Sequence, residues 1–158
     1  MQPPKPHNLS AGLLMCRRGD ADWEFLLVHP GGPFFAKKDD GAWSIPKGLP
    51  EADEDLLATA RREFREETSF DDSAECYIPL GDVLQNSGKR VFAWAFEATC
   101  DPHALRSNTF QLEWPPRSGT LQPFPEVDRA AFFDAATAKR KILPAQAPFI
   151  DRALAALR

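Results

Sequence analysis

Apolar positions along the chain fall into short runs separated by turn residues, with one longer stretch at helical spacing. Residues 9–16 are mostly apolar and end near a turn at Gly19-Asp20, and residues 23–28 form a second such run. These two runs are predicted to pair as a β-hairpin. His29-Pro30-Gly31-Gly32-Pro33 breaks the second strand, and a polar loop over 37–41 leads to Ala42-Trp43-Ser44-Ile45, which Pro46 ends. Leu57, Ala60 and Phe64 recur at i, i+3 and i+7, which predicts an amphipathic helix over 53–68 with acidic residues at its N-terminal end. Short strands follow at 75–78 and 81–85, then a turn at Asn86-Ser87-Gly88 and a long strand over 89–98. A strand is predicted at 109–114 and a short apolar segment at 130–133, with a Pro-rich stretch at 122–125 between them. Helices are predicted from Asp134 or Thr137 to Ile142, and over 145–157. The class implied is α/β (α+β), a mixed sandwich in which strands surround a central helix and another helix closes the chain.

Composition narrows the reading. The 158 residues suit one domain over 9–158, preceded by a flexible arm over 1–8 that holds three of the 15 prolines. Apolar runs such as residues 92–96 are too short to span a bilayer, and the first residues lack the apolar core of a secretory signal. A cytoplasmic protein with no membrane partner is therefore expected, as a monomer or homodimer. Cys16, Cys76 and Cys100 cannot all pair and lie among apolar or strand-like neighbours, where a thiol acts as a small hydrophobe. A net charge of −4 argues against a stable nucleic-acid complex, although a few local cations are enough to hold the phosphates of a small nucleotide.

The chemistry is concentrated in residues 48–70, which read GLPEADEDLLATARREFREETSF. On a helix Glu63 and Glu67 lie one turn apart on one face, with Glu66 beside them. Three carboxylates on one arc repel by a few tenths of a kcal/mol per pair at least. A hard cation such as Mg²⁺ favours carboxylate oxygens, bridges to substrate phosphates and relieves that repulsion.

The same segment resembles the Nudix box, G-x5-E-x7-R-E-U-x-E-E-x-G-U with U a bulky apolar residue. Gly48 matches its first position, Glu54 the isolated Glu, Arg62-Glu63-Phe64 the R-E-U, Glu66-Glu67 the paired Glu and Phe70 the last U. Six such matches at fixed spacing arise by chance in about 10⁻⁷ of windows at average residue usage. Ser69 departs from the box, which has Gly there. The position suits a helix end with φ > 0, where a Cβ costs on the order of 1 kcal/mol, so the departure concerns shape and removes no ligand.

The resemblance implies a Nudix-type α/β/α sandwich with a mixed sheet and a catalytic helix, in a Mg²⁺-dependent pyrophosphohydrolase in which Mn²⁺ substitutes. Glu63, Glu66, Glu67 and the Gly48 carbonyl would hold the metal. Arg62 would orient Glu63 or its neighbours, and Glu54 would anchor the preceding loop. Nudix families differ in which carboxylate takes the proton of the attacking water. Outside the box the candidate is Glu126, six residues before the aromatic Phe132 as in diadenosine-tetraphosphate hydrolases of this superfamily, with Asp128 next. Loop capping is an equal alternative for Glu126.

Substrate residues are less specified. Pro46-Lys47-Gly48 is similar to the entry to the box in dinucleoside polyphosphate hydrolases, so Lys47 and Lys38 are phosphate candidates. Trp43 and Trp114 lead the candidates for a nucleobase slot, against a default of core packing. The expected substrate is a nucleoside diphosphate linked to another group, a dinucleoside polyphosphate first, then a (d)NTP or a capped RNA 5′ end. The alternative is a ligand sensor of the same fold without turnover, against which the intact glutamate set argues.

Overall fold

The computed structural model describes residues 8–158, so the predicted arm lies, Asn8 apart, outside the described residues. Its centre is the strand β1 (Leu9–Arg18), buried continuously from Ser10 to Cys16. That continuity follows from cover on both faces: Leu13 and Met15 face one apolar cluster, Leu14 and Cys16 the other. The expected hairpin forms, with Cys16 opposite Phe25 and Arg18 opposite Trp23 of β2 (Trp23–Pro30). The pairing covers only the far end of β1. Nearer its start the same edge takes the two-residue β3 (Lys47–Gly48), with Ala11 opposite Gly48. Gly12 permits this approach, because a Cβ there would overlap the Pro46 carbonyl.

The other edge of β1 pairs in parallel with β5 (Arg90–Glu97), which pairs antiparallel with β4 (Ile78–Leu84). Beyond β2 comes β8 (Val127–Asp134), giving the order β4-β5-β1-β2-β8 with β3 attached to β1. The helix α1 (Leu56–Thr68) packs Ala60 and Phe64 on one face of this mixed sheet. On the other face lie α2 (Ala135–Lys141) and α3 (Ala147–Leu157), whose Phe149, Ile150 and Ala153 are fully buried. This is the α/β/α sandwich. A separate antiparallel pair, β6 (Thr109–Glu113) and β7 (Leu121–Pro125), stands off the main sheet.

Several boundaries differ from expectation. Helix α1 starts at Leu56 because Asp55 is the cap, its carboxylate accepting from the Ala58 N–H, while Asp53 sits at φ 62° outside the helix. In place of the two short strands at 75–78 and 81–85 there is one, β4, with an irregularity between Pro79 and Asp82, and residues 75–77 lie outside it. The Pro-rich stretch over 122–125, to which the sequence pattern assigns no element, lies in strand β7. Prolines are tolerated there because β7 has a partner on one side only. Cys16 is buried and Cys100 half-buried, but Cys76 is exposed and is no core residue.

Candidate active site

Arg62 organises the helix face that carries the glutamates. A guanidinium has five N–H donors, and all five are used. Its Nε and Nη2 donate to the two oxygens of Glu54, each at 2.9 Å, and Nη2 also donates to the Leu49 carbonyl at 2.9 Å. Nη1 donates to Glu63 at 2.8 Å and Glu66 at 3.2 Å. Glu54 in turn accepts from the Thr59 hydroxyl at 2.7 Å and the Glu51 N–H at 3.1 Å. Bidentate pairing with Arg62 and these further donors hold the Glu54 carboxyl down at about 2.

Glu63 lies against the backbone of Gly48. A Cβ at position 48 would overlap its carboxylate, so only glycine admits the close approach. Burial raises the pKa of Glu63, and Arg62 opposes the rise. Glu67 is more extreme. Its one hydrogen bond among the described residues comes from the Lys47 N–H at 3.3 Å, and burial, then the negative field of Glu63, push it from 4.5 up to about 8. Glu126 adds repulsion to both glutamates, which places four carboxylates in one field.

A cavity of about 220 Å³ opens beside Glu67, with Glu67, Glu126 and Lys47 among its lining. Its apolar lining includes Phe35, Val28, Ile45 and Leu143. The Glu126 side chain has no hydrogen-bond partner among the described residues, whereas its backbone is held on both sides. Its N–H donates to the Asn108 carbonyl at 2.9 Å, and its carbonyl accepts from Gly31 at 2.9 Å.

The remaining sequence candidates lie elsewhere. Trp43 is 4% exposed, enclosed edge-on by His29 and Phe133, with its Nε1–H on Asp39 at 2.8 Å. It is a core residue and not a wall of this cavity. Asp128 lines a different hollow and is hydrogen-bonded to His29 at 2.8 Å. Trp114 packs against Phe34 on the β6–β7 hairpin, with ring centroids 5.5 Å apart. Lys38 is exposed, its ammonium 5.4 Å from the Phe35 ring. Neither lines the cavity beside Glu67. Sequence reasoning missed the apolar walls, because Val28, Phe35, Ile45 and Leu143 come from separate segments without a shared spacing.

The NUDIX domain family model matches residues 6–153. The chain belongs to the Nudix family. Nudix hydrolases act on pyrophosphate bonds, and with its glutamate set intact this chain is an enzyme of that class. Solved structures agree on the fold at low identity. An Ap4A hydrolase from C. elegans, crystallised as a binary complex, is 20% identical with a TM-score of 0.63, covering 94% of this chain and 97% of its own. The Nudix domain of Shewanella oneidensis NrtR, complexed with ADP ribose, is 19% identical with a TM-score of 0.60, covering 95% and 88%. A MutT protein from Methanosarcina mazei Go1 is 19% identical at a TM-score of 0.57, covering 96% and 95%. No curated protein matches.

Nudix enzymes are in general divalent-metal dependent, and the fit of this site to a cation has two sides. Among the described residues no three acidic, His or Cys side chains form a ready-made ion cage. Arg62 occupies oxygens of Glu63 and Glu66. Donor type and charge do fit. Glu67 is half-buried and repelled by two other carboxylates, a condition that a hard cation would relieve.

Proposed function

We propose that this chain is a Mg²⁺-dependent pyrophosphohydrolase of nucleoside diphosphates linked to a second group, with dinucleoside polyphosphates as the first substrates to test and Mn²⁺ able to replace Mg²⁺. The observation that carries the reading is that a half-buried, under-compensated Glu67 lines one cavity together with Lys47, Glu126, whose side chain has no hydrogen-bond partner among the described residues, and several apolar side chains. Glu63, Glu66, Glu67 and the Gly48 carbonyl would hold the metal. When bound, it would polarise the phosphoryl oxygens and acidify the attacking water.

The chain's own residues supply the rest. Arg62, fixed by Glu54, holds Glu63 and Glu66 on the face that meets the phosphates. Lys47 supplies a positive point charge for the phosphate chain. Glu126, free of side-chain hydrogen bonds among the described residues, accepts the proton of the water. Phe35, Leu143 and their neighbours shelter the ring system of the nucleoside. Ap4A and ADP ribose, named for two of the fold's relatives, both contain a nucleoside diphosphate, which supports this substrate class.

The test is a panel of dinucleoside polyphosphates, ADP ribose, (d)NTPs and capped RNA, assayed with Mg²⁺ and with Mn²⁺, with product analysis. Glu67→Gln is expected to lower kcat by about 10²–10⁴-fold while the far-UV spectrum stays native. Hydrolysis that continues unchanged in this variant would remove Glu67 from the machinery. A wild-type protein that binds panel members without cleaving any would instead be a sensor.

A further inference from the structure

Ser69 occupies the box position where the family pattern has Gly, and it adopts the conformation for which Gly is suited, φ 62° and ψ 12°. Its backbone N–H closes the helix on the Arg65 carbonyl at 2.8 Å. A Cβ in that conformation costs on the order of 1 kcal/mol relative to Gly. The side chain is not idle in return. Its hydroxyl donates to the Arg106 carbonyl at 2.7 Å, a bond that a glycine has no atom to make.

Residues 106–108 form a strap between the end of α1 and Glu126. The Arg106 N–H donates to the Thr68 carbonyl at 3.1 Å, and the Asn108 N–H donates to the Glu66 carbonyl at 2.9 Å. On its far side the Asn108 carbonyl accepts from the Glu126 N–H at 2.9 Å, and the Ser107 hydroxyl accepts from the Val127 N–H at 3.1 Å. One residue, Asn108, thus ties the backbone of Glu66 to that of Glu126. The strap's other attachments to α1 are at Arg106, where Ser69 doubles the single backbone bond to Thr68.

We propose that Ser69 is a positioning residue for Glu126, fastening the 106–108 strap to the end of the catalytic helix. The inference rests on the reading of Glu126 as the proton acceptor. A carboxylate that must meet a water held over Glu63 and Glu67 depends on the spacing between β8's start and α1, and the strap sets that spacing. A displacement of about 1 Å at a reacting group costs up to about 10²-fold in rate.

Two substitutions separate the hydroxyl from the Cβ. Ser69→Gly removes both, and Ser69→Ala removes the hydroxyl alone. The expected result is a fall in kcat of about tenfold in each with KM nearly constant, while the melting temperature drops in Ala and not in Gly. Amide exchange should quicken at 106–108 and at Glu126 in both variants, with the middle of α1 unchanged. In a Glu126→Gln background Ser69→Gly should have no further effect on kcat. A Ser69→Gly enzyme with wild-type kcat, a kcat that follows melting temperature, or an undiminished Ser69 effect without Glu126 would each overturn the proposal. If Glu126→Gln itself leaves kcat unchanged, it is the proton-acceptor reading that falls, and the positioning role with it. The exchange rates then still report whether Ser69 holds the strap.

Discussion

At the scale of single residues, the site is governed by how completely Arg62 is used. Each of its five donors has an acceptor, two of them on Glu54. Removing one charge from this array leaves the guanidinium half-buried with a weaker partner. Glu54→Gln is expected to cost about 1–3 kcal/mol of stability, read by urea unfolding. The loss should depend on pH in a fixed direction. The Glu54 carboxyl is lowered in the folded protein from 4.5 to about 2, so its contribution is present above about pH 4.5 and disappears as pH falls through 2. Wild type and variant should therefore converge in acid. Glu67 has the opposite sign. Its pKa is raised to about 8, so its contribution is present below 4.5 and lost as pH rises through 8 in metal-free protein. A bound metal replaces that proton. The rise in melting temperature on adding Mg²⁺ should accordingly be larger at about pH 9 than at about pH 6, and Glu67→Gln should flatten the difference. Equal Mg²⁺ shifts at both values would remove Glu67 from the proposed ligand set.

At the scale of elements, the strand-helix alternation was legible wherever a local pattern carried it. The i, i+3, i+7 stripe of Leu57, Ala60 and Phe64 gave α1, and the two apolar runs around Gly19 gave the hairpin. The spacing of Glu54, Arg62 and Glu63 likewise contained the ion-pair array, because residues on one helix and its capping loop keep a fixed geometry. Where contacts are made by backbone atoms, the sequence was silent. Nothing in Arg106-Ser107-Asn108 announces a strap, since its bonds use N–H and C=O groups that most residues possess. Strand β7 was hidden for a related reason: its prolines gave no strand signal, and only its one-sided pairing makes them acceptable. The β6–β7 hairpin meets the end of β2 at Gly31, where a Cβ would overlap the Pro125 carbonyl. Gly31→Ala should push the hairpin outward and carry Glu126 with it, because the Gly31 N–H bonds the Glu126 carbonyl. A stability loss of about 1–3 kcal/mol is expected from the forced shift, with kcat falling further than in a stability-matched variant of α3. A Gly31→Ala enzyme with native kcat would show that Glu126 is not fixed from this side.

At the scale of the whole molecule, the cavity exists because β1 and β2 diverge after three paired positions and the segment from Ser44 to Gly48 enters between them. The charged lining of the cavity then comes from α1, β3 and the turn before β8, and its apolar lining largely from β2, the loop after it and the segment following α2. This division predicts a division of kinetic effects. Phe35 is part of the apolar lining, is 39% exposed, and lies outside the buried core clusters. Truncating it removes surface that a nucleoside ring would cover both before and in the transition state, so the loss is of uniform binding. Phe35→Ala should raise KM for the preferred nucleotide about tenfold with kcat within about twofold, and leave unfolding by urea nearly unchanged. Trp43→Phe should do the reverse. The indole lies in the core with its N–H on Asp39, so its replacement lowers stability and leaves KM alone. If Trp43→Phe raised KM while Phe35→Ala did not, the nucleoside would have to sit in the hollow under Arg129, where the Trp43 face is 5.3 Å from that guanidinium. The phosphates would then have to reach the glutamates from the far side of β8.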